Sequence, residues 1–166
     1  MGRRLTGVAV ALAVLCATAA AFAQHGLRGG GRDARTGVHT LRASFTPDPF
    51  ELATRGGGAL HAAAMGLGAG CRGYVDARPD VVLRFSGAAA FLRVFVRSSS
   101  DVTLIVAEPG GRFLCNDDAV PGRNTNPVID VYQPRAGQYD VWIGGHARGE
   151  EVAATLFVTT ARTTGP

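Results

Sequence analysis

The sequence predicts an all-β domain: a β-sandwich or jelly-roll of about 7 to 9 short antiparallel strands, closed by one disulfide bond. Apolar residues recur at every second position in short runs, such as Val81, Leu83 and Phe85, and this is the period of a half-buried strand. Clusters of Gly, Pro, Asn and Asp separate the runs at intervals of roughly 8 to 12 residues. The third observation is a pair of cysteines, Cys71 and Cys115, in the same part of the chain.

The individual strands follow from this alternation. The first is Phe50 to Thr54. The later runs have apolar faces at Leu92, Val94 and Val96, at Val102, Leu104 and Val106, at Tyr139, Val141 and Ile143, and at Val152, Ala154, Leu156 and Val158. Glycine and proline mark the turns between them, because they supply the backbone angles that a chain reversal needs. Ala59 to Leu67 contains helix-forming residues, but the glycines around it disfavour a helix there.

The first 23 residues have the three parts of a secretory signal peptide. Arg3 and Arg4 form the basic start, Leu5 to Ala20 is an uncharged apolar run, and Ala21-Phe22-Ala23 matches a small-residue cleavage site. The run is shorter than a bilayer span, which needs roughly 20 apolar residues. We therefore expect cleavage after Ala23 and a secreted or periplasmic protein with no stable membrane insertion.

Composition divides the remaining chain into a tail and one domain. Residues 24–37 are rich in Gly and Arg and poor in apolar residues, which predicts a flexible linker. The domain is predicted to run from residue 38 to residue 162, a length typical of a single domain. Without the two arginines of the leader the chain carries 15 basic and 13 acidic residues. This balance argues against nucleic acid as a partner.

The two cysteines of the domain are predicted to be joined. In an exported chain an even pair of cysteines is usually oxidised, so Cys71 and Cys115 should form a disulfide bond. In the chain-entropy account, closing a loop of this length stabilises the fold by roughly 4 kcal/mol. The alternative of a reactive thiol has neither a neighbouring His nor a Cys-x-x-Cys spacing to support it.

The sequence contains no recognisable catalytic motif. No serine lies in a Gly-x-Ser-x-Gly elbow, and the histidines are scattered singly, without the His-Glu-x-x-His spacing of a metalloprotease. A lone histidine such as His146 is more often a surface residue than a general base. Asp117 and Asp118 are adjacent, so on a strand they point to opposite faces and can meet one sugar only from a loop. We therefore expect a protein that is not an enzyme.

Oxygen-bearing side chains gather around Cys115, where the disulfide would hold the chain in place. Calcium takes roughly 6 to 8 oxygen ligands from carboxylates, amides and carbonyls. The candidate ligands are Asp101, Asn116, Asp117, Asp118 and Asn126, with Asn124 beside them. The sequence has no Asp-x-Asp-x-Asp-Gly loop, and Asn and Asp are favoured in turns without any ion. The segment is therefore either a calcium site or a set of turn-forming residues.

The strand near residue 140 carries the single tryptophan of the chain. Tyr139 and Trp142 lie on opposite faces of it, so we expect one of them in the core and the other outside. An exposed Trp142 would suit stacking on a sugar ring, although packing in the core is the commoner role. Asp130 and Asp140 fit strand patterns as solvent-facing residues.

Five short motifs of the domain carry a resemblance to a known family. They are Gly70-Cys71-Arg72-Gly73-Tyr74-Val75, Pro79-Asp80-Val81, Asp101-Val102-Thr103-Leu104, Cys115-Asn116-Asp117-Asp118 and Gly137-Gln138-Tyr139-Asp140-Val141-Trp142-Ile143-Gly144. Together they resemble small exported bacterial proteins related to the pre-peptidase C-terminal domain, a β-sandwich often appended to secreted peptidases. The resemblance extends from Phe45 to Val158. It implies an accessory, non-catalytic module, which in some relatives binds calcium or an extracellular polymer.

Three functional hypotheses follow for the exported domain. The first is a non-catalytic binding or structural module, stabilised by calcium, whose partner is an extracellular polymer or protein. The second is a secreted hydrolase of peptidase or glycosidase type that uses Asp117, Asp118 or His146, which requires these groups to converge in one pocket. The third is an accessory protein or inhibitor of a secreted enzyme.

Overall fold

The structure is a computed structural model that describes residues 26–29, 31 and 33–166. Its strands are β1 (Val38–Arg42), β2 (Phe50–Gly57), β3 (Leu60–His61), β4 (Tyr74–Val75), β5 (Val81–Ser86), β6 (Phe91–Arg97), β7 (Thr103–Ala107), β8 (Phe113–Asn116), β9 (Val128–Tyr132), β10 (Gly137–Gly144) and β11 (Glu151–Thr159). A single 3₁₀ turn, Ala62–Ala64, lies where the sequence has its helix-forming stretch. The predicted signal peptide lies outside the described residues.

Two sheets form the sandwich. Sheet A has the strand order β1-β5-β10-β7-β8 and sheet B the order β2-β11-β6-β9, while β3 and β4 form a separate two-stranded ribbon. The prediction of an all-β sandwich with one disulfide is confirmed. One pairing is parallel rather than antiparallel: β1 runs alongside β5, because the chain crosses to sheet B to form β2 before it returns.

The main core lies between the two sheets and comes from the alternate residues that the sequence marks as apolar. Leu83, Val94, Leu104, Val141 and Leu156 are all fully or almost fully buried in it. At roughly 25 cal/mol per Å² of apolar surface, this burial is the main term that stabilises the fold. The alternation of apolar residues along each strand therefore gives each sheet one apolar face, and the two apolar faces pack together as the sandwich.

A second apolar cluster lies on the outer face of sheet A. It is built around Trp142 and Ile105, and the segment between β2 and β5 covers it with Ala62, Leu67 and Val75. Cys71 lies in this covering segment and is bonded to Cys115 of β8. The disulfide thus ties the covering segment to the edge of the sheet.

Two predictions about side-chain placement are wrong: that only one of Tyr139 and Trp142 is buried, and that Asp140 faces solvent. Tyr139 and Trp142 do lie on opposite faces of β10, but both are fully buried, because the covering segment turns the outer face of sheet A into a second core. Asp140 is buried as well, and its carboxylate accepts a hydrogen bond from the amide of Gln138. Asp130 is partly exposed and pairs with Arg93.

The outer face of sheet B is also covered. The rings of Phe95 and Phe157 stack with their centroids 4.8 Å apart, and the guanidinium of Arg97 lies over both of them. Arg97 donates a hydrogen bond to the backbone carbonyl of Gly165, and Arg93 donates to that of Thr164. The last residues of the chain therefore lie along this face.

The described residues before β1 also contact the domain. Leu27 is buried in the second cluster, and Arg35 forms an ion pair with the fully buried Asp80 at 3.0 Å. The domain boundary at residue 38 stays a prediction, but these contacts extend the packed region back into the predicted linker. Among the described residues, no helix has the length and apolar character needed to cross a bilayer.

Candidate functional site

The candidate site lies at the end of sheet A where β10 ends and β7 begins. Three side chains meet there: Asp101, Asp117 and His146. One ligand atom from each of them lies within 4.8 Å of the other two. They come from three different loops, so the strand pairing of sheet A brings them together.

Asp101 and His146 face each other because of the register between β7 and β10. Gly144 is paired with Thr103 in this antiparallel pair, and continuing the register by two residues sets His146 opposite Asp101. The Nε2 atom of His146 lies 3.3 Å from Oδ1 of Asp101. The turn before β7 is held by Ser98, whose hydroxyl accepts a hydrogen bond from the amide of Ser100.

Asp117 reaches the same place from the end of β8. It is two residues beyond the disulfide-bonded Cys115, and the preceding Asn116 accepts a hydrogen bond from the backbone amide of Val128 at 2.9 Å. These two restraints hold the start of the loop. Oδ1 of Asp117 then lies 3.7 Å from Nε2 of His146.

Close backbone packing beside the site explains two of its glycines. A Cβ atom at Gly144 would lie 2.3 Å from the hydroxyl oxygen of Thr103, and one at Gly73 would lie 2.7 Å from the same atom. Gly73 also has a φ of +79°, which disfavours other residues. The Thr103 hydroxyl donates to the carbonyl of Arg72, so the covering segment approaches β7 closely enough for Arg72 to reach the site.

The electrostatics of the site centre on Asp117. Burial raises the pKa of Asp117, and the negative charges of Asp118 and Asp101 act in the same direction, while His146 and Arg72 oppose them. Nη1 of Arg72 lies 3.4 Å from Oδ2 of Asp117. The other oxygen, Oδ1, is buried and accepts no hydrogen bond from any of the described residues, a state that is costly for a carboxylate.

The two distances from His146 to the carboxylates suit a metal ion. Ligands at about 2.1 Å from a tetrahedral ion lie about 3.4 Å from one another, close to the separations between His146 and the two carboxylates. A bound cation would also satisfy the buried oxygen of Asp117. An imidazole nitrogen beside carboxylates suits zinc and related transition metals better than calcium.

The structure distributes the residues of the predicted calcium site differently. Asp101 and Asp117 come together, and Asp118 contributes negative charge beside them. The side-chain oxygens of Asn116 and Asn126 are occupied by the backbone amides of Val128 and Ser98. The side chains of Asn116 and Asn126 therefore hold the loops in place. The calcium assignment itself stays a prediction.

Comparisons with known proteins add little to this geometry. No protein-family model matches the chain, and neither does any curated protein sequence. A solved structure with a similar chain is that of PliG from Aeromonas hydrophila, a periplasmic lysozyme inhibitor of g-type lysozyme. It is 18% identical, with a TM-score of 0.39, and the match covers 74% of this chain and 96% of that one. Similarity at this level supports no inference about function, and the resemblance to the pre-peptidase C-terminal domain stays a prediction.

Sequence reasoning did not place His146 among the metal ligands. It follows Gly144-Gly145 at the end of a predicted strand and has no second histidine at a ligand spacing. The signal that identifies it is the pairing of β10 with β7, whose residues are far apart in the chain. Local spacing carries no information about that pairing.

Proposed function

We propose that this protein is an exported, non-catalytic binding module that holds a divalent transition-metal ion, of which zinc is the best example, at Asp101, Asp117 and His146. The observation that carries the proposal is the convergence of two carboxylates and one imidazole within 4.8 Å. The disulfide between Cys71 and Cys115 supports an exported protein, since such bonds persist in oxidising compartments.

The metal would act as a local crosslink in this module. Asp101 precedes β7, Asp117 follows β8 and His146 follows β10, so one ion joins three loops. An ion that binds only the folded state raises the free energy of unfolding by RT ln(1 + [L]/Kd). This is about 2.7 kcal/mol when the concentration of free ion is 100 times Kd. Free coordination positions on the ion would face solvent, because Asp101 and His146 are both about half exposed (50% and 48%). A partner with a carboxylate or imidazole group can bind there.

The competing interpretation is an ion-pair network without metal, in which Arg72 and protonated His146 neutralise the two carboxylates. The buried Oδ1 atom of Asp117 favours the metal, since no donor among the described residues reaches it within hydrogen-bond geometry. The two interpretations differ in whether added metal changes the stability of the protein.

The decisive experiment is calorimetric titration and thermal denaturation of the metal-stripped protein with zinc and with calcium. We expect zinc to bind and to raise the melting temperature. His146→Gln and Asp117→Asn should each weaken zinc binding at least tenfold, while the matched variant His39→Gln, on β1, should leave it unchanged. Absence of any zinc effect would reject the metal site.

Calcium provides the second arm of the same experiment. If the cage predicted from the sequence is right, calcium should stabilise the protein and Asp118→Asn should reduce that effect, whereas His146→Gln should not. We expect the opposite pattern: no calcium effect at millimolar concentration, and near-normal zinc binding by the Asp118→Asn variant.

A hydrolase remains the second candidate because its geometric requirement is met: His146 lies beside Asp117. Within the described part of the chain, however, neither side chain is hydrogen-bonded to a Ser, Thr or Cys that could act as a nucleophile. We therefore expect no turnover of casein or of polysaccharide substrates with zinc present. Turnover that His146→Gln abolishes would replace the binding module with an enzyme. The role of accessory protein or inhibitor stays a prediction.

A further inference from the structure

A cleft lies at the opposite end of the sandwich from the metal cluster, where β7 ends and β10 begins. It has a volume of about 490 Å³, within the range of roughly 300 to 1,000 Å³ that is typical of small-molecule sites. Its walls are the turn between β7 and β8 and the turn between β9 and β10, and they include Glu108, Arg112, Tyr132, Gln133 and Arg135. Most of these residues are polar or charged.

Tyr132 supplies an aromatic surface at the mouth of this cleft. It is 62% exposed, the highest value among the large apolar and aromatic residues of the described chain. The edge of the ring contacts Phe91, with centroids 5.7 Å apart, and the guanidinium of Arg162 lies 5.1 Å from its centroid. The ring is therefore held in place while much of its surface remains open to solvent.

Arg135 supplies a positive charge that has no ion-pair partner among the described residues. In the described residues, the neighbouring Arg112 is paired with Glu108, but no carboxylate lies within ion-pair distance of Arg135. The backbone of Arg135 is fixed, because its carbonyl accepts a hydrogen bond from the hydroxyl of the buried Tyr139 at 2.8 Å. An arginine at this place suits a carboxylate, which its guanidinium can bind through two parallel hydrogen bonds.

The backbone between these two side chains is in an unusual conformation. Gln133 has a φ of 50°, which is uncommon for a residue other than glycine. Its amide donates to the carbonyl of Ala90 at 3.0 Å, which holds this conformation. Such local strain is concentrated at ligand-binding positions in proteins, and here it sets Tyr132 and Arg135 on the same cleft.

We infer that this cleft binds a saccharide that carries a carboxylate, such as a uronate unit of an acidic polysaccharide. The sugar ring would pack on Tyr132, the carboxylate would pair with Arg135, and hydroxyl groups would meet the side-chain amide of Gln133 and the carboxylate of Glu108. The polar walls favour a saccharide over a peptide segment, whose apolar side chains would need an apolar wall. The inference is independent of the proposed metal site.

The experiment is calorimetric titration of the full chain with trigalacturonate and with the neutral trisaccharide of galactose. We expect binding of the acidic trisaccharide only. Arg135→Gln and Tyr132→Ala should each weaken it at least tenfold, whereas Arg123→Gln, an exposed arginine at the other end of the sandwich, and His146→Gln should bind normally. Both test positions are on the surface, and the melting temperature of each variant verifies folding.

Amide chemical-shift mapping provides a second measurement on the unaltered protein. Trigalacturonate should shift the signals of residues 108–112 and 132–135. Equal affinity for the neutral and acidic trisaccharides, unchanged affinity after Arg135→Gln, or shifts confined to the metal end would each overturn the inference. Binding of an acidic peptide, such as triglutamate, with equal or higher affinity would also overturn it in favour of a protein partner.

Discussion

At one end of the sandwich two carboxylates and an imidazole lie within 4.8 Å of one another. At the other end the exposed Tyr132 and Arg135, for which the described part of the chain offers no ion-pair partner, line a cleft. The same two strands, β7 and β10, connect both ends. At about 3.4 Å per residue, β7 alone spans roughly 17 Å, and the two sites lie beyond its opposite ends. Sites this far apart usually respond to substitution independently.

The two ends are also stabilised in different ways. The end with the carboxylates is tied by the bond between Cys71 and Cys115, while the end with the cleft relies on hydrogen bonds such as the one between Tyr139 and Arg135. The covalent bond therefore lies at the end that carries the carboxylate cluster, and the cleft end depends on non-covalent contacts alone among the described residues. Four predictions test this contrast.

The largest effect should come from removing the disulfide. The double variant Cys71→Ser/Cys115→Ser opens a loop with a sequence separation of 44 residues, for which the chain-entropy account gives about 4 kcal/mol. We expect a loss of this size in the free energy of unfolding, measured by urea denaturation. Zinc affinity should fall as well, while the affinity for trigalacturonate should stay the same. If the double variant loses less than about 1 kcal/mol of unfolding free energy, the bond does not have the structural role expected of it.

The next effect is a pH dependence caused by Asp80. Burial raises the pKa of Asp80 to about 7, although a hydrogen bond from the backbone amide of Ile143 and the charge of Arg35 oppose this shift. In the unfolded chain the group ionises near 3.8. Between these two pH values only the folded state keeps the proton on Asp80. The contribution of this protonation to the free energy of unfolding is therefore fully present below pH 3.8 and is lost as the pH rises through 7.

The measurement for Asp80 is the free energy of unfolding at a series of pH values from 4 to 8. Asp80→Asn should remove the fall of stability across this range, which we expect to amount to a few kcal/mol. The control is Asp130→Asn, a carboxylate that is partly exposed and paired with Arg93; this variant should retain the fall. An identical slope in the wild type and in Asp80→Asn would exclude Asp80 as its cause.

A smaller effect is expected at Asn116, which joins β8 to β9 near the metal cluster. Asn116→Ala leaves the amide of Val128 without its partner, which should cost about 1 to 3 kcal/mol. Zinc binding should weaken because Asp117 loses its support, and binding of trigalacturonate should not change. Full retention of zinc affinity would show that the disulfide alone positions Asp117.

The smallest effect should come from Tyr139→Phe at the other end. Burial raises the pKa of Tyr139 to about 12, so the hydroxyl stays protonated near neutral pH and donates to Arg135. Its loss should cost about 1 kcal/mol of stability and weaken trigalacturonate binding severalfold, with zinc binding unchanged. A change in zinc affinity would break the independence of the two ends.

Much of the architecture was accessible to prediction from local patterns. The alternation in Val81, Leu83 and Phe85 placed β5 correctly because side-chain period is a property of a single strand. The disulfide was predictable because the predicted domain contains two cysteines, Cys71 and Cys115, and they can be joined in only one way. The burial of Trp142 and Asp140 was not predictable, since it depends on the segment that folds over sheet A.

The sequence by itself therefore determined the fold class, the bond between Cys71 and Cys115, and the positions of strands β2, β5, β6, β7, β10 and β11. Only the tertiary structure decided which loops meet: Asp101 with His146 through the pairing of β7 and β10, and Tyr132 with Arg135 across the opposite cleft. The physical reason is that the alternation of apolar and polar residues reflects only the few neighbouring residues of a single strand. Strand order, in contrast, depends on contacts between residues that are distant in the chain.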